Sequence, residues 1–354
     1  MACQRDYERR LRVGVVGLGG HGYRTLLPVL TTLPVRLVAV CDQDADRAER
    51  TARQYGAAPH TAQADMLAEH ALDAVLLAVP PQEHPRLAIE ALDRGVHVWM
   101  EKPPAARAAD LDPVIDARGD RVVVVGLKKV FMPAARKALE LLARPGTGRL
   151  TGLYARYALS VPEDGGELLE RRADSHWLAE GCHPLSLLLA AGGRVAEVDV
   201  HRGGLGDCLC VLHFESGALG VLQMSENLSM SQPFEQYTFV AEHGTAEILN
   251  GSRVTFQRGI PYEYGVTTGF APEGTDGGML TWEPQHSRSS LENQSPFVQG
   301  IHAELSHFCR CVLDGRPASL GTLEFAREVM EVYEAALLAS DGGRTRGAAT
   351  PGGR

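Results

Sequence analysis

The sequence predicts two domains. The first is α/β, built on a doubly wound parallel sheet; the second is α+β, with a mainly antiparallel open sheet. Three observations carry this. Short unbroken apolar runs alternate with helical stretches up to about residue 127. Beyond residue 148, strand-like segments follow one another with only turns between them. The length of 354 residues suits about two domains, each able to bury its own core.

The elements follow in order. The run 12–17 (RVGVVG) reads as a buried strand and 35–42 (VRLVAVCD) as the next. A helix then extends to about Tyr55 and stops at Gly56. A third strand covers 72–79, a helix covers 83–94 and ends at Gly95, and strands follow at 97–101 and 121–127. Continuous Val/Leu/Ala runs mean strands covered on both faces, as in a parallel sheet. Strand–helix alternation makes that sheet doubly wound. In the second part, strands are expected at 150–159, 195–201, 207–215, 218–226 and 236–240, separated by turns such as Gly203-Gly204, Ser216-Gly217 and His243-Gly244. Helices are expected at 175–191, 301–313 and 322–339, whereas 251–299 is polar and weakly patterned and receives no assignment. The boundaries are therefore 1–127, 128–340 and a Gly/Arg/Thr-rich tail, 341–354, read as flexible.

Charge narrows the partners. Thirty-five basic against 44 acidic residues give a net charge of −9, which argues against nucleic acid or an anionic membrane. No apolar run approaches the roughly 18 residues of a membrane span, and the N-terminus reads as a first strand rather than a secretory signal. Seven cysteines scattered through apolar segments suit reduced thiols in a cytoplasm. The pairs Cys208/Cys210 and Cys309/Cys311 lack zinc-ribbon spacing, so they read as small hydrophobes and no metal is expected.

The 38 glycines are in excess of the usual roughly 7%, and one group of them carries chemistry. Gly17-Leu18-Gly19-Gly20-His21-Gly22 matches G-x-G-x-x-G directly after a strand and before a helix. Gly17 serves the turn, Gly19 lets the backbone approach a pyrophosphate, and Gly22 permits close helix–strand packing. Exposed N–H groups at the helix start meet the phosphate charge. Asp42 ends the second strand twenty residues beyond Gly22, where a carboxylate accepts from ribose hydroxyls. A 2′-phosphate about 4 Å from it would cost several kcal/mol at an effective dielectric of about 20, so NAD is favoured over NADP. Arg47 complicates that choice, although a helix-surface position should leave it solvated.

Glu101-Lys102-Pro103 follows a strand, and ligands of an open parallel sheet lie beyond the carboxyl ends of its strands. A lysine beside nicotinamide, its pKa lowered by desolvation, is a usable proton donor or acceptor. A solvated loop lysine is the ordinary alternative.

These runs together (GVVGLGGHG, AVCD, AVPPQEH, GVHVWMEKP, VVVGLKK, GCHPLSLLL and HAELSHFCRCVLDGRP, in this order) resemble the Gfo/Idh/MocA family of oxidoreductases, that of glucose–fructose oxidoreductase and inositol dehydrogenase. The resemblance implies an N-terminal NAD-binding Rossmann domain and a C-terminal domain whose open sheet serves as a homo-oligomer interface, in a dimer or tetramer. It implies that the C-terminal helices can pack back on the first domain. It makes Lys102 the active-site lysine, and adds Gly20, His21, Val79, Pro80, His84 and Glu101 to the cofactor site. It also makes His183 a substrate-facing histidine on a helix, where a lone histidine is ordinarily a core residue. The family's acid four residues earlier, one turn away on the same face, is here Ala179. Glu180 is rotated about 100° from that face, and the aspartate expected three residues after the histidine is Ser186. Arg172, Asp174, His176 and Glu180 are candidate substrate contacts, with helix capping by Asp174 or Ser175 as the alternative. Lys129 is a further candidate, with a solvated surface lysine as its alternative. The expected activity is hydride transfer between NAD and a secondary alcohol or ketone of a polyol, cyclitol, sugar or sugar derivative. Lys102 and His183 would share the proton transfer. A redox-assisted glycosidase and a non-catalytic NAD-binding regulatory homologue are the alternatives.

Overall fold

The computed structural model describes residues 7–204, 206–226, 234–259, 264–265, 278–340 and 344–346. The chain divides into two compact units that are not contiguous in sequence. One comprises Met1–Phe131, Leu169–Asp174 and Gly300–Met330; the other comprises Met132–Leu168, Ser175–Gln299 and Glu331–Arg354.

The first unit holds six parallel strands: β1 (Leu11–Val16), β2 (Val35–Cys41), β3 (Ala58–His60), β4 (Ala74–Leu77), β5 (His97–Glu101) and β6 (Val123–Gly126). Their order is β3-β2-β1-β4-β5-β6, so the direction of winding reverses between β1 and β4. Val13 pairs with Leu37 on one side of β1, and Val15 with Leu76 on the other. β4 and β6 are buried at every position, as continuous apolar runs require of strands covered on both faces. The helix Ala45–Tyr55 begins where the Asp44 carboxylate accepts from Arg47 N–H at 3.0 Å, and ends at Gly56 with φ 68°. β3 has no counterpart among the expected strands. It is only three residues long and contains Pro59, which an edge strand tolerates. The segment Gly300–Met330 belongs to this unit: the Gly321 carbonyl accepts from Val125 N–H at 2.8 Å, and Arg327 pairs with Asp112.

The second unit is built on a nine-stranded sheet of β7 (Leu150–Tyr157), β8 (Val195–Arg202), β9 (Asp207–Phe214), β10 (Leu219–Ser225), β11 (Gln236–Ala241), β12 (Gly244–Leu249), β13 (Arg253–Arg258), β14 (Met279–Trp282) and β15 (Arg344–Arg346). The order is β14-β13-β12-β11-β7-β10-β9-β8-β15; only β7 and β10 pair in parallel. The strands alternate: Cys208 and Cys210 are buried while Leu209 between them is exposed. The helix His176–Gly192 packs on β7 and β10, and Trp177 donates from its indole N–H to the Tyr333 carbonyl at 3.2 Å. β12, β13 and β14 are additions to the expected strands; the last two lie in the stretch left unassigned. Of the expected tail, 344–346 pairs with β8, and the remainder lies outside the described residues.

No described helix is long and apolar enough to cross a membrane. The six described cysteines are buried; Cys3 lies outside the described residues.

Candidate active site

The glycine loop leaves the carboxyl end of β1. Gly17 has φ 91°, and a Cβ there would lie 2.2 Å from the Ala78 carbonyl oxygen. A Cβ on Gly22 would lie 2.3 Å from the Gly17 oxygen. No side chain fits at either position, whereas a Cβ on Gly19 or Gly20 would meet open space. The first pair closes the loop on itself; the second leaves its outer surface bare. A π-helical turn, Gly22–Leu26, continues from it.

Beside the loop lies a cavity of about 640 Å³ at the carboxyl ends of β1, β2 and β4, where a doubly wound sheet takes its ligands. Gly17, Gly19, Asp42, Val79 and Pro80 line it, together with Thr61–Ala64 and Gln82 of the flanking connections. The bare loop and this cavity fit a dinucleotide.

Asp42 is more engaged than its expected ribose contact required. One carboxylate oxygen accepts from Leu18 N–H at 2.8 Å and the other from Asp44 N–H at 3.0 Å. The half-exposed Arg47 guanidinium reaches the same carboxylate at 3.1 Å. Asp42 thus braces the glycine loop, and its charge is partly offset.

Around Lys102 the first unit builds a polar cluster. Glu101, at the end of β5, contacts His21 Nε2 of the glycine loop at 2.6 Å, and its second oxygen accepts from the Lys102 backbone N–H at 3.0 Å. His84 is fully buried and does not line the cavity. Its Nδ1 lies 2.9 Å from the Pro103 carbonyl, and burial lowers its pKa, so a neutral imidazole donates there and holds the turn after Lys102. The Lys102–Pro103 peptide is cis. Glu304, on the helix Ile301–Asp314, is buried in this unit; burial and the Glu101 charge push its pKa up, and Lys128 and Lys102 pull it down. Its Oε2 has no hydrogen-bond partner among the described residues. Lys129 is buried, contrary to the solvated alternative.

Arg172 and Asp174 lie in the same unit. Arg172, with φ 52°, pairs with Asp110 at 2.9 Å. The Gln82 amide, on the cavity rim, donates to the Arg172 carbonyl at 3.1 Å and to the Asp174 carboxylate at 3.0 Å.

The remaining candidates stand in the second unit. Ser175, not Asp174, caps the helix His176–Gly192, accepting from Leu178 N–H at 2.9 Å. His176 is exposed on its first turn. His183 is buried, and the Glu180 carboxylate comes within 3.7 Å of its Nε2. Adjacent positions on a helix diverge by 100°, so Glu180 does not occupy the place of Ala179. Its length still brings it to the imidazole from three residues away. Ser186 donates to the His183 carbonyl at 2.9 Å. The buried Tyr157 hydroxyl has its pKa raised by burial and by the Glu235 and Glu180 charges.

Glu304 and Tyr157 were not among the sequence candidates. Glu304 had a readable signal: with Ile301, Leu305 and Phe308 it lies on the apolar stripe of its helix, where a carboxylate is out of place. Tyr157 looks like any alternating strand residue.

Residues 11–129 match the family described as oxidoreductase family, NAD-binding Rossmann fold. The chain is 30% identical to a dTDP-3,4-didehydro-2,6-dideoxy-alpha-D-glucose 3-reductase of Streptomyces violaceoruber, over 57% of this chain and 62% of that one. It is 35% identical to inositol 2-dehydrogenase 3 of Saccharopolyspora erythraea, over 39% and 42% respectively. Both matches span less than two thirds of the relative's length. A dehydrogenase structure from Chromobacterium violaceum superposes with a TM-score of 0.74 at 25% identity, covering 92% of this chain and 94% of the other. With NAD as the cofactor of its glycine loop, the chain carries through residues 11–129 the NAD-binding Rossmann domain of the Gfo/Idh/MocA oxidoreductase family.

Proposed function

We propose that the protein is an NAD-dependent dehydrogenase or reductase acting on a secondary alcohol or ketone of a polyol, cyclitol, sugar or sugar derivative. The observation that carries this is the 2.6 Å contact between His21 of the glycine loop and Glu101, whose other oxygen holds the Lys102 backbone. It ties an ionisable side chain to the cofactor grip. Bound NAD supplies the hydride acceptor or donor. Lys102 Nζ takes the substrate hydroxyl proton in oxidation and returns it in reduction. His183, oriented by Glu180, hydrogen-bonds the substrate and assists that proton transfer. Arg172, Asp174, His176 and Lys129 are held as further substrate contacts of the same reading.

The substrate class is supported by the relatives, which by name act on a dideoxy sugar nucleotide and on inositol. NAD is preferred over NADP because the Asp42 carboxylate repels a 2′-phosphate. Arg47 at 3.1 Å reduces that penalty below the several kcal/mol of a bare charge. The burial of all six described cysteines, as small apolar groups, supports a reducing cytoplasm. The exposed Tyr154, Leu209 and Leu219, on neighbouring strands β7, β9 and β10, support a homo-oligomer formed through that sheet.

The test is a panel of polyols, cyclitols and sugar derivatives read by the absorbance of reduced nicotinamide, repeated on Lys102→Met. Turnover should fall by about 10²–10⁴-fold while NAD binding persists. Unchanged turnover removes Lys102 from the chemistry, and NAD binding without turnover on any substrate favours the non-catalytic reading.

A further inference from the structure

Away from the glycine loop, the edge of the parallel sheet gathers three metal-ligating side chains that the proposed reaction does not use. His60 ends the edge strand β3, and Glu69 and His70 close the helix that follows it. The Nε2 atoms of His60 and His70 are 2.9 Å apart, with rings edge to face and centroids at 5.0 Å. One ligand atom from each of the three residues lies within 4.8 Å of the others. Sequence spacing does not reveal this set, because nine residues of connection separate the two imidazoles and only the turn back from β3 brings them together.

We propose that His60, Glu69 and His70 bind a divalent borderline metal ion of the Zn²⁺ type. Two imidazoles and a carboxylate are a familiar three-ligand set for such ions, with water in the fourth position. Zn–N bonds of about 2.0–2.1 Å set at a tetrahedral angle require nitrogens about 3.3 Å apart. The present 2.9 Å is within a few tenths of an ångström of that. The competing arrangement is a simple His–His hydrogen bond, in which one ring donates and the carboxylate has no part. The groups facing His60 agree with a cation: Glu69 and Asp65 place negative charge beside the imidazole. The ion would clip the two ends of the connection whose residues Thr61–Ala64 line the cofactor cavity. The His60 carbonyl, which accepts from Asp42 N–H at 3.1 Å, links the same strand end to the glycine-loop brace.

The test is titration of the metal-stripped full chain with Co²⁺, read by its visible d–d absorption, with Zn²⁺ as competitor. Wild-type protein should bind one equivalent that Zn²⁺ displaces, and His70→Ala should abolish it. Losing even an outer partner of a metal ligand costs about 10–100-fold in affinity, so Glu69→Gln, at an exposed position, should weaken binding at least about tenfold. NAD binding by each variant reports that the fold is intact. No saturable Co²⁺ spectrum in the wild type, or a spectrum unchanged in either variant, overturns the assignment.

Discussion

The two units use their sheets in opposite ways. In the first, six parallel strands are covered on both faces, and the candidate cofactor grip is made of backbone: a loop whose Gly17 and Gly22 have no room for a side chain. In the second, nine strands alternate buried and half-exposed positions, and its candidate substrate groups are side chains of the helix packed on that sheet, His176, Glu180 and His183. A dinucleotide is the same molecule in every relative that uses it, so a backbone grip serves them all. Substrates differ, and side chains on a helix and a sheet face can be exchanged without refolding the unit.

The sharpest way to break this contrast is to place a methyl group in each part of the loop. Gly17→Ala forces a side chain into φ 91° and against the Ala78 carbonyl. Backbone strain of about 1–3 kcal/mol precedes any clash, so Tm falls and the NAD dissociation constant rises by up to about 100-fold. Gly19→Ala meets nothing in the protein. It should leave Tm nearly unchanged yet weaken NAD, because the methyl group occupies the approach of the pyrophosphate. Calorimetric titration beside thermal melts separates the two. Wild-type affinity in Gly17→Ala would refute the backbone grip.

A smaller effect is expected in the second unit. Glu180→Gln removes the charge 3.7 Å from His183. An ion-pair contact to a partly exposed carboxylate is worth up to about 1 kcal/mol, so kcat/KM should drop by up to about fivefold with NAD affinity unchanged. A change in NAD affinity alone would place Glu180 on the wrong side of the comparison.

The last expected effect is on stability alone. Glu304 has a raised pKa in the folded unit, so as pH climbs above the ordinary 4.5 the unfolded chain loses this proton first. Stability from this group is complete below that value and declines with rising pH, by at most about 1.4 kcal/mol per pH unit, until the folded group ionises. Glu304→Gln should flatten that decline in denaturant titrations between pH 5 and pH 8 (roughly the window in which native proteins are most stable). An unaltered slope would mean that Glu304 is already ionised.

How much could be read in advance follows the same division. Gly17, Asp42 and Lys102 were legible because each depends on its position along a strand or loop, which local sequence determines. The unbroken apolar strands were legible for the same reason. β12, β13 and β14 were not, because a one-sided strand such as Thr245-Ala246-Glu247-Ile248 resembles any mixed segment until neighbouring strands cover one of its faces. β3 was too short to register.

By itself, then, the sequence determined the doubly wound domain, its glycine loop and the lysine after β5, since periodicity and turn chemistry act over a few residues. Only the tertiary structure decided that Arg47 turns onto Asp42, that Glu180 reaches His183, that a carboxylate lies buried at Glu304, and that His60 meets His70. Each of these depends on side-chain reach, burial or a chain reversal, none of which a linear pattern encodes.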